Sequence, residues 1–150
     1  MSIIITSIRE LQNYPNASEI WCITRSDSFT KKYDSYTSNV LWVPELSPSW
    51  DLFNKYRALV KNGTWNKESF AEVYVPQFLN EIKNSSEARH TLNELYKVSK
   101  TREDIVLCCF CGDEELCHRS IVAGLLQGVG VTVKGVKTDY SKYYDMYKEV

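Results

Sequence analysis

Between Asp104 and Val136 the chain runs apolar strand, helix, apolar strand, and that order leaves few folds open. Asp104 to Cys111 (Asp-Ile-Val-Leu-Cys-Cys-Phe-Cys) is almost continuously apolar, as in a strand covered on both faces. Gly112-Asp113-Glu114-Glu115-Leu116 turns the chain. From His118 to Gln127, residues Ile121, Val122, Leu125 and Leu126 follow helical spacing, and Gly128 is a natural stop. Val131 to Val136 reads as a further strand. Such a crossover joins parallel strands and is right-handed. The predicted fold is a single three-layer α/β domain over residues 1–150. Its central sheet is at least partly parallel, with helices on both faces in a Rossmann-like arrangement.

The remaining elements fit that frame. Short apolar runs at Ser2–Thr6, Glu19–Thr24 and Val40–Val43 predict three more strands, the last stopped by Pro44. Arg25 to Asn39 is polar and predicts a long loop. Leu52, Tyr56, Leu59 and Val60 give a helix ending at Asn62-Gly63, with Ser49 as its N-cap. Asn66 and Ser69 open a second helix bearing Phe70, Val73, Tyr74 and Phe78. Pro76 should kink or divide it, because proline removes a backbone donor and clashes one turn back. A third helix starts at Ser86, with Ala88, Leu92, Leu95 and Tyr96 inward.

Charge and cysteine content narrow the function. The formal charge is −1, which predicts no extended nucleic-acid surface, since phosphate neutralisation calls for a basic surplus. No apolar run approaches the about 18–20 residues that span a bilayer. The N-terminus also lacks the pattern of a secretory signal, so a cytoplasmic protein without membrane contact is expected. Four of the five cysteines lie between positions 108 and 117. In a reducing compartment such a cluster points to a site more than to a disulfide framework.

In open parallel sheets, ligands bind beyond the carboxyl ends of the strands. Here that place is Cys109 through Ser120. Arg119 and Ser120 fall in the first helical turn, where unpaired N–H groups and the helix dipole favour an anion. The Arg119 fork suits phosphate or carboxylate. Cys117 at the same helix start, beside Arg119 and a protonated His118, would have its thiolate favoured. The expected ligand is a small phosphorylated molecule such as a nucleotide. Arg119, Ser120, Cys111, Arg25, Trp42 and Ser49 are the candidate ligand-binding residues, and Cys117, His118 and Cys109 the candidate catalytic ones. Asp113, Glu114 and Glu115 weigh against a highly anionic ligand unless they turn outward.

The stretch from Val106-Leu107-Cys108-Cys109-Phe110-Cys111 to Cys117-His118-Arg119-Ser120 resembles the domain of unknown function 488 family. Its members carry a strand ending Leu-Cys-x-Glu, a short loop, and Cys-His-Arg at a helix start. Trp42-Val43-Pro44-Glu45-Leu46-Ser47-Pro48-Ser49, followed by Trp65, Phe70 and Tyr74, is similar to a second family segment. Together these span about Leu41 to Gln127. The resemblance implies an α/β fold and a pocket around Cys109, Cys117, His118 and Arg119, and it supplies no reaction. Two positions depart from it: the usual Glu is Cys111, and the early Asp-Arg pair is echoed only by Thr24-Arg25. Were that Glu the general base, this chain would need a substitute or would have lost activity.

Two further readings stay open. No cofactor is expected on the first reading, but Cys109, Cys111, Cys117 and His118 form Cys-x-Cys-x5-Cys-His, a ligand set of the types zinc prefers. Near the C-terminus, Tyr140, Tyr143, Tyr144 and Tyr147 give one face of a helix at about 139–150 an aromatic stripe. That stripe would dock on the chain's own body, or form a homodimer or ligand-stacking surface in a non-catalytic interaction module.

Overall fold

The computed structural model describes residues 2–27, 40–101 and 104–150, so most of the predicted 25–39 loop lies outside the described residues. Five strands form one all-parallel sheet in the order β3-β2-β4-β1-β5. They are β1 (Ser2–Ser7), β2 (Glu19–Cys22), β3 (Val40–Trp42), β4 (Asp104–Cys109) and β5 (Val133–Lys134). Registers Ser7↔Cys109 and Cys22↔Cys108 align the carboxyl ends of β1, β2 and β4 along one edge. The predicted strands are all present, and four of the five end earlier than their apolar runs do. The run from Val131 shrinks most, pairing with β1 only through Val133 and Lys134.

Six α-helical segments follow the predicted order: α1 (Trp50–Lys61), α2 (Lys67–Ser69), α3 (Val75–Lys83), α4 (Ser86–Val98), α5 (His118–Gly128) and α6 (Lys142–Glu149). Pro76 divides the second predicted helix as its chemistry requires. A π-helical turn, Phe70–Tyr74, separates α2 from α3, with the Val75 N–H bonded to the Phe70 carbonyl five residues back. Ser49 caps α1 by accepting from the Leu52 N–H at 3.1 Å. Asn66 and Ser69 close a reciprocal capping box on α2.

The sheet divides the interior in two, completing a three-layer α/β fold. One face carries Ile3, Ile5, Ile105, Leu107 and Cys109 against Phe78, Leu95, Ile121, Val122 and Leu125 of the α-helices. The other carries Ile4, Ile20, Cys22, Val106 and Cys108 beneath Ile8 and Leu11 of a 3-10 helix, Ile8–Asn13. Cys108 and Cys109 therefore point to opposite faces, as strand alternation demands. Every residue of α5 from His118 to Leu126 is buried. Each buried Ile or Leu there contributes about 1.5–3 kcal/mol, so the helix bearing the Cys-His-Arg motif is firmly anchored.

Only the last part of the predicted C-terminal helix is helical, beginning at Lys142 after an Asp139 side-chain turn onto the Ser141 N–H at 2.7 Å. Tyr140 and Tyr143 are buried, and Tyr144 and Tyr147 pack on the core, so the aromatic stripe docks on the chain's own body. Its seat is α5. A Cβ at Gly124 would overlap the Tyr140 carbonyl, and one at Gly128 would overlap the Tyr144 ring.

Candidate functional site at the carboxyl edge of the sheet

Beyond β4 the chain passes through Phe110–Asp113, makes one 3-10 turn over Glu114–Leu116, and enters α5 with Cys117 as N-cap. Arg119 is buried, and its Nη1 donates to the Cys111 carbonyl at 2.8 Å, tying the loop to the helix. The same Nη1 lies 3.9 Å from Cys109 Sγ. The three acids of the turn separate. Asp113 and Glu115 are exposed, while Glu114 is buried and accepts from the Lys137 N–H at 2.8 Å and the Tyr140 hydroxyl at 2.6 Å. Arg119 forms no ion pair with any of them among the described residues.

His118 is buried at the centre of this edge. Its Nε2 lies 2.7 Å from the Ile23 carbonyl, and a carbonyl can only accept, so Nε2 carries the proton. Nδ1 is left with a free lone pair, 3.6 Å from Cys117 Sγ. Burial, with a smaller contribution from Arg119, pushes the imidazole pKa down to about 4, against the pull of the Ile23 bond. The protonated His118 expected beside Cys117 is thus corrected to a neutral ring, because burial disfavours the charged form by more than the Ile23 bond supports it.

The cysteines also sort themselves. Cys22 and Cys108 lie against each other at 3.8 Å in the smaller core, where their contact and burial push the Cys108 thiol up. Cys111 and Cys117 are joined as a disulfide, their Cα atoms 5.9 Å apart across the turn. The cluster was expected to stay reduced; the tight turn instead brings these two sulfurs within bonding reach. Cys109 remains a thiol, 3.2 Å from Cys117 Sγ. Burial pushes it up, and Arg119 opposes that shift.

Two cavities open on the edge. The smaller, about 90 Å³, is lined by Cys109, Cys117, His118 and Arg25 among aromatic walls from Tyr56 and Tyr74. The larger, about 400 Å³, is polar, with Thr6, Ser7, Arg9, Tyr14, Arg119 and Lys137 around it. The described residues hold two buried side-chain polar atoms without a partner, the Nε atoms of Arg25 and Arg119. Each lies beside one of these cavities.

Not every predicted residue reaches them. Ser120 is fully buried and its hydroxyl donates to the Cys117 carbonyl at 2.8 Å. Ser49 is occupied as a cap and donates to Glu81 at 2.5 Å. Trp42 lies 40% exposed, with its indole N–H on the Thr24 carbonyl at 2.9 Å, and lines neither cavity. Conversely, Arg9, Tyr14 and Lys137 were not anticipated. Arg9 and Tyr14 come from the 3-10 helix after β1 and its C-cap, Lys137 from the segment after β5, and only the sheet order places them beside Arg119.

The model for the active DUF488-N3 subclade matches residues 4–130, from within β1 to just past α5. The chain belongs to the DUF488 family. The match takes in most of β1, all of β2, β3 and β4, and the complete Cys-His-Arg loop of this DUF488 protein. No curated protein and no solved structure matches the chain. Among its described residues no helix is long and apolar enough to cross a membrane. Cys109, Cys111, Cys117 and His118 each offer a ligand atom, all lying within 4.8 Å of one another, so the cluster could hold a metal ion.

Proposed function

We propose that the polar cleft at the carboxyl edge binds a small phosphorylated molecule, with a nucleotide as the narrower expectation. The observation that carries this reading is Arg119. It is a buried guanidinium with an unpartnered Nε, lining a cleft that Arg9 and Lys137 share. Its guanidinium, held by the Cys111 carbonyl, places a fixed positive charge beside the cleft, where it would attract an anion. Thr6, Ser7 and Tyr14 supply hydroxyls suited to phosphate oxygens, and Glu114 is already satisfied by neutral donors. About 400 Å³ falls within the range of small-molecule sites, whereas the aromatic pocket, at about 90 Å³, has room for no purine.

Thermal denaturation against phosphate, pyrophosphate, a sugar phosphate, AMP and ATP tests this, with chloride at matched ionic strength as control. A ligand at about 100 Kd stabilises by about 2.7 kcal/mol, which raises Tm by roughly 5–10 °C in a chain of this size. Arg9 and Lys137 are exposed, so the R9A/K137A double variant should fold and lose most of that shift. If no phosphorylated compound exceeds chloride, or if the double variant responds like the parent, the reading fails.

A further inference from the structure

We propose that Cys109, Cys111, Cys117 and His118 form a zinc site once the Cys111–Cys117 bond is reduced. The reduction is a two-electron exchange with a dithiol: the reagent leaves as its own disulfide, and two cysteine thiols are released. Three sulfurs and one imidazole then face a common point. All four donor atoms already lie within 4.8 Å of one another, and all but Cys111 are buried.

The second observation is the state of His118. Its Nε2 proton is committed to the Ile23 carbonyl at 2.7 Å, which directs the Nδ1 lone pair toward the sulfurs. Metal-bound histidines are held in this way, with the distal N–H on a carbonyl fixing tautomer and ring plane. Zn–S of about 2.3 Å and Zn–N of about 2.0–2.1 Å give a tetrahedral S···N edge of about 3.6 Å. The Cys117 Sγ to His118 Nδ1 distance is 3.6 Å. Cys109 and Cys117, at 3.2 Å, need part by only about half an ångström to reach the S···S edge of about 3.8 Å.

The charge also closes. Zinc binding releases the three thiol protons to solvent; three thiolates, a neutral imidazole and Zn²⁺ then sum to one negative charge, and Arg119 Nη1 stands 3.9 Å from Cys109 Sγ to balance it. Soft sulfur ligands favour zinc over magnesium or calcium, which take oxygen. The metal and the disulfide use the same two sulfurs, so each state excludes the other. Arg119 borders both sites, but the phosphate reading is tested through Arg9 and Lys137 and this one through Cys111, so the two proposals fail separately.

Cobalt serves as the optical probe. Phosphine-reduced protein titrated anaerobically with Co²⁺ should develop thiolate-to-cobalt charge transfer and tetrahedral visible bands saturating at one ion per chain. One equivalent of Zn²⁺ should abolish both. Protein oxidised with diamide should show neither. Cys111 is half-buried on the turn, so Cys111→Ser tests the set with least risk to the fold. It should lose about a third of the charge-transfer intensity and bind Zn²⁺ at least tenfold more weakly. Absence of charge transfer in folded, reduced protein overturns the proposal, and so does equal binding by the oxidised form. A C111S spectrum and affinity equal to the parent's overturn it as well. If C111S does not fold, the reduced and oxidised arms decide alone.

Discussion

Replacing Gly124 by alanine should destabilise the protein even though alanine is the better helix former. In the middle of α5 the exchange gains about 0.8–1 kcal/mol of helix propensity. The new methyl, however, would overlap the Tyr140 carbonyl oxygen, lie 2.8 Å from its carbon and come within 3.1 Å of Tyr143 Cβ. A backbone atom cannot rotate away as a side-chain tip can, so the segment leading into α6 must move. Overpacking of this kind costs about 1–3 kcal/mol. The displacement also pulls on two bonds of Tyr140, its N–H to Gln127 at 2.8 Å and its hydroxyl to Glu114 at 2.6 Å. Each is worth about 1 kcal/mol. The net expectation is a loss of about 2 kcal/mol, a fall in Tm of roughly 4–8 °C. Urea unfolding followed by circular dichroism measures it, with Gly112→Ala as control, since nothing lies within 4 Å of a Cβ there. A G124A protein as stable as the parent, or more so, would refute the close approach of α6 to α5.

Two other substitutions test the supports of the site. Ser49→Ala removes the cap of α1 and one of the donors to Glu81, and should cost about 1–2 kcal/mol in urea melts without changing phosphate-dependent stabilisation. Tyr140→Phe keeps the packed ring but takes one of two donors from buried Glu114. It should cost about 1–2 kcal/mol at neutral pH, and a change below 0.3 kcal/mol would show that Glu114 does not rely on the hydroxyl.

Elements with an unbroken pattern were legible in the sequence. The apolar run of β4, the helical period of α5 and the caps at Ser49 and Asn66 all appear where local chemistry puts them. What stayed hidden depends on non-local placement. Ile8–Asn13 carries only Ile8 and Leu11 as buried residues, too few to show a period, yet it covers the second sheet face. The Cys-His-Arg motif was readable as a unit, but not that its members line different cavities. Cys117 and His118 lie on the aromatic pocket while Arg119 lines the polar cleft. Arg9 and Lys137 are 128 residues apart and meet only because β1 sits between β4 and β5.

The π turn at Phe70–Tyr74 holds one residue more than an α-helix would need, and that surplus sets the phase of everything after it. Phe70, Tyr74 and Phe78 stack as a ladder at 5.4 and 6.0 Å, and the last ring meets His118 edge-on at 5.8 Å. Deleting a single residue in this turn would rotate α3 by about 100°, swinging Phe78 away from the imidazole. The packing around His118 is therefore keyed to a count of residues some forty positions earlier in the chain. In this protein a one-residue deletion far from the Cys-His-Arg loop would be read out in the wall against which its imidazole rests.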